Sequence, residues 1–207
     1  MNKKVLVVVL VLVLAVGSVF AAKSDMKVGA QLGYGGRAMS TSKKGSTVTI
    51  FNNGFYGAFT FEYGVTDAIS VKAEAGINTM GNPVVSYKYS DGSSAKATAE
   101  EVNTPVNFAI FVGAIYNYAI NKEFIAYGGA GLDVFIGSLA KNDDGDSFNV
   151  GFGLGLELGA SYKINKQFSV NVGGKFGWHF LNTNEDYSNG NISNLTYKAY
   201  AGVTYSL

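Results

Sequence analysis

The chain has a single histidine, His179, and it is the first residue to weigh for chemistry. An imidazole serves a hydrolase when a serine or an acid works beside it. His179 lies between Trp178 and Phe180, with no serine two residues away; the nearest helpers are Asn182, Asn184, Glu185 and Asp186. No local motif singles out a nucleophile, so we expect no catalytic residue and no enzyme. Asp143-Asp144-Gly145-Asp146 resembles a calcium turn, yet it lacks EF-hand spacing and a distal glutamate. It reads as a solvated acidic tip, and neither a metal nor a cofactor is expected. Arg37, Lys43 and Lys44 form a small basic group able to meet phosphates or acidic polymers. The largest set is four acids, Glu62, Glu74, Asp133 and Glu157, and four bases, Lys27, Lys72, Lys175 and Lys198. Their common feature is the parity of their positions within alternating segments.

Composition limits what can hold these groups. The chain has 207 residues, 47% hydrophobic and only 15% charged, against roughly 25% charged in an average globular protein. Glycine is abundant (27) and proline rare (2), which argues against a disordered or collagen-like chain. Lys and Arg number 16 against 15 acids, so no basic face for nucleic acid is expected. Cysteine is absent, which excludes disulfide scaffolds, thiolate metal sites and an acylated lipoprotein cysteine.

The first segment reads as an address. Asn2-Lys3-Lys4 is a positive start, Val5 to Val16 is an unbroken apolar run, and Val19-Phe20-Ala21 suits a cut after Ala21. The run is short for a span of ~20 apolar residues. Residues 1–21 are therefore expected to be a cleaved secretory signal, and residues 22–207 a single domain. Removing Lys3 and Lys4 takes the bases from 16 to 14, against 15 acids, a net charge of −1.

The remainder alternates with a period of two. Val150, Phe152, Leu154, Leu156, Leu158, Ala160 and Tyr162 share one face; Gly151, Gly153, Gly155, Glu157, Gly159 and Ser161 share the other. Successive strand side chains point to opposite faces, so this is a strand with one apolar side. The same ruler finds Phe168–Phe180, Leu195–Leu207, Val28–Tyr34, Phe55–Val65 and Ile69–Ile77. Two middle strands, near Val106–Tyr118 and Phe124–Ile136, are less clean because Phe111, Ile115 and Ile125 fall on the polar face. Eight strands of roughly ten residues result, the length a tilted strand needs to cross a bilayer.

Turns follow a repeat. Tyr118-Ala119-Ile120-Asn121-Lys122-Glu123-Phe124 matches Tyr162-Lys163-Ile164-Asn165-Lys166-Gln167-Phe168, and Tyr63–Ile69 is a looser copy. Between these short turns lie long connections at about Arg37–Asn53, Thr79–Thr104, Gly137–Ser147 and Leu181–Asn194. The second is expected to hold a hairpin, Val84–Tyr89 and Ala95–Glu101 around Asp91-Gly92, above the membrane. Both prolines, Pro83 and Pro105, fall in or beside it, where no ladder bond is lost.

Alternation alone does not say which face is inside. A polar face rich in glycine and charge is a poor lining for an apolar ligand pocket. On the apolar face, Phe61, Tyr63, Tyr116, Tyr118, Phe124, Tyr162, Phe168 and Tyr205 cluster near the short turns. Tyr34, Phe55, Trp178, Phe180 and Tyr197 cluster near the long connections. Two aromatic bands around an aliphatic middle are what two membrane interfaces select. The expectation is an all-β, eight-stranded antiparallel up-and-down transmembrane barrel, with the eight charged residues paired in its lumen.

The signal, the eight amphipathic strands and the chain end together resemble the eight-stranded outer-membrane β-barrel family, the OmpA/OmpX-like transmembrane domains. Gly202, Tyr205 and Leu207 are similar to the signal that family presents to the barrel-assembly machinery, with Leu207 standing where phenylalanine is commonest. The resemblance implies residence in the outer membrane among lipopolysaccharide-type lipids, and it speaks to architecture rather than activity. It implies a monomer with short periplasmic turns and long outer loops. Loops on a rigid scaffold are where binding usually resides, so the leading expectation is a non-enzymatic surface or structural protein contacting host or envelope ligands. A small pore or uptake channel is the alternative, and an outer-membrane hydrolase using His179 the third.

Overall fold

The computed structural model describes residues 25–43, 45–98, 106–142, 145–182 and 191–207. The expected signal segment, Lys44, Pro105, Asp143-Asp144, Asn184, Glu185 and Asp186 lie outside them. Ten strands follow the chain: β1 Met26–Lys43, β2 Ser46–Gly64, β3 Ile69–Met80, β4 Val84–Lys88, β5 Ser94–Thr98, β6 Val106–Ala119, β7 Phe124–Asn142, β8 Gly145–Lys163, β9 Phe168–Asn182 and β10 Asn191–Ser206. Every pairing is antiparallel. Eight strands close in the order β1-β2-β3-β6-β7-β8-β9-β10, and the seam runs from Lys27↔Ser206 to Ser42↔Asn191. Closure satisfies each strand's backbone groups on both sides, the requirement for β-structure in lipid.

The period of two is realised as expected. Leu154, Leu156 and Leu158 face outward, with Leu158 70% exposed, while Glu157 between them is fully enclosed. Packed aromatic pairs mark both ends of the outer face. Phe124 meets Tyr162 (4.7 Å) and Phe168 meets Tyr205 (5.0 Å) near the short turns. Tyr34 meets Phe55 (5.7 Å) and Trp178 meets Phe180 (6.0 Å) at the opposite end. Tyr63 departs from this pattern. It keeps the outward register opposite Met26 and Val71, but it is buried.

The long connections differ from the expectation in an instructive way. Arg37–Asn53 is mostly strand: β1 and β2 stay paired to Lys43↔Ser46, and the turn contains Gly45 at φ 83°. Residues 137–142 and 145–147 are likewise strand, paired as far as Asn142↔Gly145. These stretches stand beyond the apolar belt, so both faces need not differ in polarity and the alternation used to find strands fades. Cross-strand hydroxyl pairs replace it: Ser40 with Thr49 and Ser42 with Thr47, both 2.9 Å.

The expected hairpin is present as β4 and β5, and β4 pairs with the upper part of β2 through Thr47↔Lys88 to Phe51↔Val84. Its tip places Gly92 at φ 87°. Ser93 donates to Asp91 Oδ1 from its hydroxyl (2.6 Å) and its amide (2.8 Å), which holds that carboxyl below its ordinary pKa.

Seam packing gives a contrast between two glycines. A Cβ on Gly33 would overlap the Ala199 carbonyl and crowd Tyr200, whereas one on Gly57 would meet only Leu32 Cδ2 at 3.5 Å. Gly33→Val is expected to destabilise the barrel by about 1–3 kcal/mol through overpacking and to deplete the heat-modifiable band on gels. Gly57→Val should leave that band and the melting temperature nearly unchanged.

Candidate functional site

Alternation on eight strands sends a row of polar and small residues inward, and these fill the lumen in tiers. A vestibule of about 860 Å³ opens at the short-turn end. Its wall carries Lys27 and Glu62, paired at 2.9 Å and partly solvated, with side chains 30% and 19% exposed. Neutral pairs accompany them: Asn117 donates to Ser70 Oγ (3.1 Å) and Asn171 to Thr204 Oγ1 (2.9 Å).

Above the vestibule the lumen closes. Lys72 Nζ reaches Glu157 Oε1 at 2.5 Å and Glu74 Oε2 at 3.7 Å. Lys175 Nζ reaches Glu74 Oε2 at 2.5 Å and Glu157 Oε2 at 3.4 Å, and Lys198 Nζ lies 3.4 Å from Glu74 Oε1. Tyr56 donates to Glu74, and Tyr200 donates to Glu157. Gln31, its amide oriented by these charges, donates to Glu74 Oε2 and accepts from Lys72, both at 3.2 Å. Lys175 and Lys198 also stand over the rings of Phe111 (4.1 Å) and Tyr56 (4.0 Å). Two carboxylates shared among three ammonium groups form one buried cluster, in which each charge has several partners.

Further along, Asp133 Oδ2 meets His179 Nε2 at 3.1 Å, and Thr196 Oγ1 lies 3.3 Å from the same oxygen. His179 is completely enclosed, with Phe135 edge-on at 6.3 Å. Arg37 stands over the Phe135 ring, 3.8 Å from its centre, and donates through Nε to Asn194 Oδ1 at 2.7 Å.

Glycine makes this filling possible. A Cβ on Gly155 would stand 3.0 Å from two Phe111 ring atoms, and one on Gly173 would stand 2.6 Å from the Tyr200 hydroxyl. The inward glycines of β8 and β9 thus leave room for large inward side chains from other strands. Eight strands enclose an interior that side chains just fill. At the level of Glu74 and Glu157 these buried side chains occupy the cross-section.

No protein-family model matches the chain, and no curated protein matches it in sequence. Solved structures do. Neisserial surface protein A aligns with TM-score 0.56 at 16% identity, over 87% of this chain and 96% of that one. The outer membrane protein OprG from Pseudomonas aeruginosa aligns at 0.54 and 16% identity, covering 90% and 98%. The outer membrane protease OmpT from Escherichia coli aligns at 0.56 and 11% identity, covering 91% and 100%.

The fold is that of an outer-membrane β-barrel.

Within the barrel, the eight charged residues expected in the lumen occupy three places. Lys72, Glu74, Glu157, Lys175 and Lys198 form the central cluster, Lys27 and Glu62 form a separate pair in the vestibule, and Asp133 turns to His179. Arg37 is a correction to the sequence reading: it is a buried lumen cation, not a loop base grouped with Lys43 and Lys44. The reason is that β1 continues past it, keeping the inward parity of Lys27 and Gln31. Tyr127 and Tyr200, joined by their hydroxyls at 2.9 Å, were also missed as lumen residues. Parity with Lys198 was the available signal for Tyr200. Of the three residues matching the assembly signal, Gly202 sits close to Gln31 at the seam, Tyr205 packs on Phe168, and Leu207 is exposed.

Removing one member of a buried ion cluster leaves its partners uncompensated, at a cost of about 3–5 kcal/mol. Glu157→Ala is therefore expected to lower the unfolding temperature in detergent markedly. Lys27→Ala, which breaks a partly solvated pair, should cost no more than about 1 kcal/mol. Equal, small effects from both would contradict the assignment of Glu157 to a dry cluster.

Proposed function

We propose that this protein is a closed, non-enzymatic barrel of the outer membrane whose working surface is its set of projecting hairpins. The observation carrying this reading is the buried cluster that fills the lumen at Glu74 and Glu157. A barrel filled by the Glu74–Glu157 cluster offers no passage for a solute, which leaves the strands beyond the apolar belt as its contact surface. There the β1–β2 hairpin, with its hydroxyl pairs, joins β4 and β5 in one continued sheet. Such polar, rigidly mounted hairpins suit adhesion or contacts within the envelope. The similar structures include a surface protein and a protease, so they support the scaffold and leave its use to local surfaces.

The hydrolase reading is disfavoured by the burial of His179, whose polar contact is Asp133 and whose ring is shielded by Phe135. The vestibule favours a pore, but it ends on the ion cluster.

Absence of cysteine makes the test direct. Asp91→Cys at the β4–β5 tip should react with a membrane-impermeant maleimide on intact cells, while Asn165→Cys in a short turn should react only after the envelope is opened. Replacing residues 84–98 with a flexible linker should preserve the folded gel species and reduce attachment of protein-bearing cells to surfaces. Reversed labelling, or attachment unaffected by the replacement, would overturn the reading.

A further inference from the structure

The two closely matched short turns are more hydrophobic than their backbone geometry needs. Ile120 and Ile164 each donate an amide to the carbonyl of the strand that follows, to Phe124 and Phe168 respectively, at 2.9 Å. The next residue completes the turn. Asn121 Oδ1 accepts from the amides of Glu123 (2.9 Å) and Phe124 (2.8 Å), and Asn165 Oδ1 accepts from Gln167 and Phe168 (both 2.8 Å). These bonds use the main chain and asparagine alone. Nothing in them calls for isoleucine, and both isoleucines are about three-fifths exposed, at 61% and 60%.

Their surroundings supply a reason. Alternation places each isoleucine two residues beyond an outward tyrosine, Tyr118 or Tyr162, on the same side of the wall. Phe124 and Phe168 return on that side, and all these rings are exposed. Each turn therefore prolongs the lipid-facing belt by one aliphatic residue past its aromatic band. Lys122 and Lys166 follow the asparagines, both exposed; Lys166 borders the vestibule, while the long stem of Lys122 lets its ammonium group reach phosphates with its carbons along apolar surface. The third short turn lacks this combination: Val65-Thr66-Asp67 places an acid where the others have lysine, and Val65 borders the vestibule.

We propose that the β6–β7 and β8–β9 turns are lipid anchors, with Ile120 and Ile164 inserted among the headgroups and upper acyl chains of the adjoining leaflet. Lys122 contacts phospholipid phosphates. The occupant is the lipid surface because the apolar turn is continuous with the wall that already faces lipid. This rests on the transmembrane-barrel reading, and the test separates the two.

The chain has one tryptophan, Trp178. In a Trp178→Phe background, Ile120→Trp, Ile164→Trp, Leu156→Trp and Asp91→Trp are reconstituted in phosphatidylcholine bilayers, with or without bromine at shallow or deep acyl positions. Leu156→Trp, on the belt, should be quenched most by deep bromine, which verifies insertion. Ile120→Trp and Ile164→Trp should emit to the blue of Asp91→Trp and lose most of their intensity to shallow bromine. Water-like emission quenched by acrylamide, with Leu156→Trp still quenched by lipid, would overturn the anchor and leave the barrel intact. Blue emission insensitive to brominated lipid would indicate a protein contact, such as a second copy, and would also overturn it. Failure of Leu156→Trp to respond would overturn the membrane reading itself.

Discussion

Two carboxylates, Glu74 and Glu157, organise the lumen. Each is ion-paired with more than one lysine and accepts a hydrogen bond from a tyrosine, and the lysines arrive from β3, β9 and β10. Strands far apart around the wall are thereby tied across its axis. A hydrophobic core is not available for this purpose, because the apolar faces are turned toward lipid. Buried ion pairs contribute uncertain net stability against apolar replacements, yet losing one member is costly. The cluster therefore fixes which side chains must be present together, and it does so where a channel would otherwise run.

The wall and the filling depend on each other. Closure of β1 on β10 removes the edges of the eight-stranded wall, and that closed wall leaves an interior narrow enough for side chains to fill. Glycine on the inward rows of β8 and β9 then admits Phe111, Tyr127 and Tyr200. Aromatic bulk from one wall fits space left on another, so ions and rings share the same cross-section.

Much of this was legible in the sequence because two faces in different solvents enforce a strict period. Where the contrast held, as along Val150–Tyr162, strand and facing were both readable. Where it weakened, legibility did too. Ser40, Ser42, Thr47 and Thr49 have water available on either side, so a paired hairpin looked like a loop, and Arg37 was assigned to that loop. Phe111 and Ile115 looked like exceptions on a polar face, but they are lumen filling. Alternation also could not say which inward charges meet. The pairing of Asp133 with His179, rather than with a lysine, depends on relative height along eight tilted strands. That is a property of register, invisible to parity.

The filling of the lumen at Glu74 and Glu157 has an electrical consequence that the wild-type protein can reveal. Planar-bilayer recording should use the folded species whose gel mobility shifts on boiling, so that inserted barrels are known to be present. The account expects no steady conductance above the bare membrane. Reproducible unitary channels from that species would contradict it, because ions would then be passing the level of Glu74 and Glu157.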